Sequence, residues 1–391
     1  MKKRKYLLLF LLCYLSYCST YVARLNLSVA APLMIEDGVL NAAVYGLMGS
    51  CFSACYACCR LFSGYFSDRI RPAWMIGSGL FIAALSNLLL GFLPPIPAML
   101  VLWSCNALAQ ALLWGAILRM MAFVVPSEKV SRYTSFMGTS VCTGNILGFL
   151  INSFSVSNWG YTFAFFVPGF LCLIFCTFIL LSSHDVKPPI TAAKGQVMPK
   201  EIFLPRNIAG RLLPAWIHGI MKDNITLWLP MFILTRYRVD VENSTLFLVL
   251  VPLVGFFARA SYPALSRLVR NDDRIRCGCF LLCLAASFLL STLTGSPLSA
   301  ALLFGFVYAA VSVINTTFLS IYPLRFPSAI ASVSGIMDLL TYLGAAAGSA
   351  IYGFVVDSYG FIPMLVSWCA LSAIAALCVL FFGKEKSPEA G

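Results

Sequence analysis

The chain has 391 residues, of which 60% are hydrophobic and 11% charged, with a mean hydropathy of +0.88. A soluble domain carries about 25% charged residues, so this balance excludes one. The formal net charge of +12 would suit a nucleic acid, but its distribution along the chain excludes that partner too.

Apolar runs long enough to cross about 30 Å of hydrocarbon recur from end to end. About twelve spans are predicted, near 6–34, 43–66, 73–94, 97–123, 132–154, 160–182, 209–235, 244–269, 275–294, 298–322, 328–355 and 361–383. The first follows Lys2-Lys3-Arg4-Lys5. It is too long for a signal peptide, lacks an A-x-A-like cleavage site, and reads as a retained helix.

Basic residues gather on alternate connections: Lys2 to Lys5, Arg69 with Arg71, Lys129 with Arg132, Lys187 to Lys200, Arg267 to Arg276, Arg325, and Lys384 with Lys386. The opposite connections hold Glu36-Asp37, Pro94-Pro95, Asn158, Asp240 with Glu242, Ser296 and Asp357, with Arg236 and Arg238 as exceptions. This is the positive-inside pattern, with both termini cytoplasmic and the bilayer as the partner of the apolar surface.

The 15 cysteines fall mainly within the spans. Cys55-Tyr-Ala-Cys58 matches C-x-x-C in form, but no histidine lies near it to complete a zinc set, and the soluble redox context is missing. Helix packing is the expected role, and no metal or cofactor is implied.

The longest connection, near 183–207, is polar and divides the spans into two sets of about six. The expected domains are an N-terminal bundle over 1–184, a cytoplasmic linker over 185–207 and a C-terminal bundle over 208–391. An all-α polytopic membrane protein of two six-helix bundles with a parallel repeat has the plan of the major facilitator fold. Between the second and third spans, Gly64-Tyr-Phe-Ser-Asp68-Arg69-Ile-Arg71-Pro72 resembles the loop signature of that superfamily. The matching place in the second half reads Leu265-Ser266-Arg267, with Ser266 where the aspartate would stand.

Polar residues inside the spans carry the functional reading. Arginine keeps its proton in proteins, and a charge at membrane depth costs about 2.5 to more than 10 kcal/mol. Arg24 lies on a first-span face with Tyr14, Tyr17, Tyr21 and Ser28, spaced three or four apart. Ser53, Tyr56 and Arg60 repeat the device on the second span, with Arg60 eight residues before Asp68 and able to snorkel.

On the seventh span His218 and Lys222 stand at i and i+4, followed by Asp223 and Asn224. Lys222 falls near the bilayer centre, about 16 Å from the Arg211 end at 1.5 Å per residue. Neighbouring helical residues point about 100° apart, so Asp223 is expected to be an awkward partner for it. The tenth span adds Tyr308, Ser312 and Asn315, and the eleventh Asp338, Thr341 and Tyr342. Asp338 either balances Lys222 or carries a proton. Cations in both halves suit an anion with several acceptor oxygens, since guanidinium is a planar fork and lysine a compact charge.

At these residues the chain resembles the organophosphate:phosphate antiporter family, which includes bacterial glycerol-3-phosphate and hexose-phosphate transporters. The resemblance is strongest over Tyr21-Val-Ala-Arg24-Leu-Asn26-Leu-Ser-Val-Ala30-Ala-Pro32, Tyr56-Ala-Cys-Cys-Arg60, and Gly64 through Pro72. It implies that Arg24 and Lys222 bind phosphate, with Tyr17, Tyr21, Tyr56, Tyr308 and Tyr342 near the solute. Arg60 stands where the family has lysine, Val141 where it has a cavity histidine, and Leu227 where an acid is expected.

The implied function is exchange of an organic phosphate for inorganic phosphate by rocking of the two halves, in a monomer of the bacterial inner membrane. The alternative is a proton-coupled carrier of carboxylates, other organic anions or drugs using Asp338 or His218. A sensor would be expected to carry more cytoplasmic surface. An enzyme is not implied, because no nucleophile–base pair or metal set appears among the intramembrane polar residues.

Overall fold

In hydrocarbon every backbone N–H and C=O must find its partner within the protein, so long apolar runs are stable as helices. The computed structural model describes residues 3–183, 186, 200–292, 295–327 and 329–383, and these form helices joined by short connections, with no strand among them. In chain order the long helices of the first half are α1 (Lys3–Glu36), α2 (Ala42–Arg69), α3 (Pro72–Leu90), α4 (Ile96–Val124), α5 (Ser127–Trp159) and α6 (Phe163–Ser183). Those of the second are α7 (Leu213–Tyr237), α8 (Val241–Ala260), α9 (Asp272–Thr292), α10 (Pro297–Thr316), α11 (Ile330–Tyr359) and α12 (Phe361–Phe382).

Eleven of these helices are long and apolar enough to cross a membrane. The chain is a multi-pass membrane protein. The remaining one, α7, is 25 residues long, but His218, Lys222, Asp223 and Asn224 interrupt its apolar run. The eighth span, expected over 244–269, is shorter than that. Helix α8 stops at Ala260, and a separate short helix, Tyr262–Val269, follows. Pro263 is the reason, because it has no N–H to continue the ladder.

Local signals set the ends of the elements. Asn41 caps α2 by accepting from the Val44 N–H at 2.8 Å, and Ser296 forms a reciprocal capping box with Ser299 ahead of α10. Gly160 and Gly360, with φ of 89° and 76°, join α5 to α6 and α11 to α12. The same left-handed corner thus recurs at the same place in each half, where a side chain would be strained.

The chain separates into two compact units, Met1–Lys194 with Thr226–Val249, and Gly195–Ile225 with Leu250–Gly391. Of the expected linker, residues 185 and 187–199 lie outside the described residues. The first unit is packed around Leu9, Cys13, Ile76, Leu113, Met120 and Cys172, all fully buried. The second is packed around Ile217, Phe280, Ile314, Phe318 and Met337. Described cysteines are free thiols, several of them buried in these cores.

Candidate functional site

In the first unit, α1 is held by amide side chains reaching from three other helices. Asn152 of α5 donates to the Val22 carbonyl at 2.9 Å, and Asn106 of α4 donates to the Ala23 carbonyl at 2.9 Å. Asn26 donates to Asn87 Oδ1 of α3 at 2.6 Å, while Gln110 donates to Asn106 Oδ1 at 2.9 Å. Buried amides left unsatisfied are expensive, so this set fixes the rotation of α1 around Arg24. Sequence reasoning passed over Asn87, Asn106 and Asn152. Their signal was available: an asparagine inside an apolar helix is retained when another helix supplies its partner.

With α1 so fixed, the half-buried Arg24 guanidinium lies 4.9 Å from the Phe52 ring centroid and 5.5 Å from that of Tyr56. These two rings are one turn apart on α2, nearly parallel at 16°, with centroids 6.3 Å apart. A guanidinium on an aromatic face is held by its flat side, and its in-plane N–H edge is the part that grips a carboxylate or phosphate. Tyr17 meets Tyr21 edge-on at 5.5 Å and Trp114 at 5.0 Å. The Tyr14 hydroxyl bonds Thr139 and Thr143 of α5. Phe52 and Trp114 had not been expected at the site.

Arg60 is half-buried one turn after Tyr56. The motif ending in Asp68-Arg69 is not a loop: α2 continues to Arg69, and the connection shrinks to Ile70 and Arg71 in extended conformation. Pro72 disfavours helical geometry at Arg71 and so ends the run. Arg69 is exposed, while the burial of Gly64 and the side chain of Asp68 lie outside what the structure describes.

In the second unit the approach of α7 to α11 positions the lysine. A Cβ on Gly219 would fall on the Thr341 carbonyl, and one on Gly344 would fall on the Trp216 carbonyl. Only glycine permits that backbone contact, as at other tight membrane-helix crossings. Beside it Asn224 donates to the Ile220 carbonyl at 2.8 Å and to the Ala345 carbonyl at 3.3 Å. Ser349 donates to Asn224 Oδ1 at 3.0 Å.

This places Lys222 Nζ 4.5 Å from the Tyr342 ring centroid and 3.6 Å from Asp223 Oδ1. The close approach to Asp223 corrects the expectation of an awkward pair. The Cα–Cβ directions of adjacent residues do diverge, but the four-carbon lysine stem is long enough to bend back. Asp338, 9% exposed, is one turn before Tyr342 on α11. Tyr308 of α10 packs over Gly255 of α8, with its Cε1 2.6 Å from where a Cβ would be.

His218 is fully buried, with Nε2 3.1 Å from the Val311 carbonyl of α10. An imidazole facing a carbonyl carries its proton on that nitrogen. Nδ1 has no hydrogen-bond partner among the described residues. No group of three or more His, Cys, Asp or Glu able to hold a metal ion occurs among the described residues.

The Major Facilitator Superfamily pattern matches residues 13–349. A "Probable hexose phosphate transport protein" of Chlamydia trachomatis is 28% identical over 161 residues, covering 41% of this chain and 35% of that relative. The chain therefore spans about a third of that relative's length. The glycerol-3-phosphate transporter of Bacillus subtilis is 24% identical over 415 residues, covering 95% and 91% of the two chains. Among solved structures, a bacterial homolog to the human lysosomal transporter Spinster matches with a TM-score of 0.78 at 15% identity, covering 98% of this chain and 96% of that one. That last likeness is one of fold.

Proposed function

Because this chain belongs to the Major Facilitator Superfamily, a superfamily of membrane transporters, we propose that it is a secondary active transporter exchanging an organic phosphate for inorganic phosphate. The observation that carries the proposal is the pair of intramembrane cations, each set on an aromatic face: Arg24 on Phe52 and Tyr56, Lys222 on Tyr342. The relatives named for hexose phosphate and glycerol-3-phosphate support the same solute class. In this reading both cations bind the phosphoryl group, with Tyr17, Tyr21, Tyr56, Tyr308, Tyr342 and Arg60 near the solute. The protein works as a monomer in the bacterial inner membrane, with cytoplasmic termini.

Exchange follows from the charges. An occluded, empty cavity holding intramembrane cations is costly, and a bound anion lowers that cost. The solute drives rocker-switch alternating access only as far as it prefers the occluded state over the open ones.

The test is reconstitution into liposomes loaded with inorganic phosphate, followed by uptake of labelled phosphate. Rapid exchange is expected, lost in both Arg24→Ala and Lys222→Ala while the proteins stay folded. No exchange beside a working control carrier would overturn the phosphate reading. Wild-type exchange in either variant would remove that residue from the site. Uptake driven by a pH gradient alone, and lost in Asp338→Asn, would replace it with proton-coupled transport.

A further inference from the structure

The second unit holds a cavity of about 1060 Å3 that the transport site does not use. It opens where the short helix Tyr262–Val269 turns into α9, and it is lined by Arg270, Arg274, Arg325, Ser266, Leu281 and Leu380, among others. Two aspartates also line it, and both are engaged. Asp273 is 2.7 Å from Arg211 and 2.7 Å from Arg276, both guanidinium groups buried. Asp272 accepts a hydrogen bond from the Tyr262 hydroxyl at 2.8 Å. Burial, with Asp272 as acceptor, pushes the Tyr262 phenol up to about 12, so this donor persists at working pH.

The rim is therefore cationic in effect. Arg270 and Arg274 are exposed, and no carboxylate among the described residues pairs with either. Arg270 ends the short helix in the left-handed region, φ 53°, with its N–H on the Ser266 carbonyl at 2.9 Å. Glycine is the usual residue there, and an arginine side chain is present instead. Ser266, in the position where the first half has an aspartate, leaves this end of the cavity without a further negative charge.

The opposite wall is apolar. Leu281 of α9 and Leu380 of α12 line it and are both exposed. Cationic groups above an apolar wall match an amphiphile rather than a water-soluble ion.

We propose that this cavity binds an anionic phospholipid, its phosphate headgroup on Arg270 and Arg274 and an acyl chain along Leu281 and Leu380. The site lies within one unit, and neither Arg24 nor Lys222 lines it. Basic groups near a bilayer surface attract anionic lipid through their charge, and the pocket adds a fixed position to that attraction.

The experiment compares unfolding midpoints of the full chain in detergent with added phosphatidylglycerol, phosphatidylcholine or inorganic phosphate. Phosphatidylglycerol is expected to raise the midpoint by several degrees more than phosphatidylcholine. Arg270→Gln with Arg274→Gln should remove at least half of that difference and leave the response to inorganic phosphate unchanged. The Arg270→Lys with Arg274→Lys variant should keep the difference. Native mass spectrometry gives a readout independent of stability: the wild type should retain one phosphatidylglycerol that the glutamine variant releases. Equal stabilisation by both lipids, or full retention of phosphatidylglycerol by the glutamine variant, would overturn the site. Loss of the inorganic-phosphate response in that variant would make it a free-anion site and overturn the lipid assignment.

Discussion

The Lys222 ammonium lies 4.5 Å from the centre of the Tyr342 ring while Asp223 Oδ1 stands 3.6 Å away. The cation is thus held between an aromatic face and a carboxylate one residue along its own helix. An aromatic face contributes about 0.5–2 kcal/mol to holding such a cation. Tyr342→Phe is expected to keep phosphate affinity within about twofold. Tyr342→Leu should weaken it about three- to tenfold by the same energy scale. Calorimetric titration of the purified variants with inorganic phosphate measures both, and equal affinities for Phe and Leu would remove the ring from the site.

For Arg24 the relevant contrast is with lysine. Arg24→Lys keeps the charge but loses the planar fork and the stacking on Phe52 and Tyr56. Phosphate exchange in proteoliposomes is expected to fall about tenfold or more, a loss of about 1.4 kcal/mol or greater. Unchanged exchange would mean that the charge alone is used.

The α7–α11 crossing predicts a steric sensitivity. Gly219→Ala and Gly344→Ala each place a methyl on a backbone carbonyl, which no side-chain rotation relieves. Both variants should lose stability by about 1–3 kcal/mol as overpacking does, seen as a lower unfolding midpoint. Gly138→Ala on α5, where nothing lies within 4 Å of the added methyl, should keep the midpoint or raise it, since alanine is the better helix former.

Asn26 and Asn87 give a paired prediction. Asn87→Leu leaves the Asn26 amide without its 2.6 Å acceptor in a fully buried place, at a cost of about 1–3 kcal/mol. Asn26→Leu with Asn87→Leu should recover part of that loss, because neither helix then buries an unpaired amide. A double variant less stable than the sum of the two single changes would contradict the pairing.

His218 separates the two transport readings. Its Nε2 is taken up on the Val311 carbonyl, as in a packing residue. His218→Gln keeps a donor there, and the pH profile of phosphate exchange is expected not to move. A shifted profile would assign His218 to proton coupling instead.

The sequence alone determined the number and order of the helices, because hydrocarbon forces every long apolar run to close its own hydrogen bonds. It also singled out Arg24 and Lys222, since an intramembrane charge is too costly to be accidental. The interrupted α7 is legible as an apolar run over 209–235, although its polar centre keeps it out of the eleven helices apolar enough to cross a membrane.

What the tertiary structure decided is who touches these charges. Phe52 and Trp114 read as ordinary lipid-compatible side chains until Arg24 of α1 lies over Phe52 and Tyr17 meets Trp114. Gly219 reads as a weak point in a helix until Thr341 of α11 lies against it. Lys222 reaches Asp223 through a flexible stem that helical periodicity does not describe. Periodicity and charge are local properties, written along one helix. The faces that meet are chosen by the packing of helices far apart in sequence, and only the folded chain holds that information.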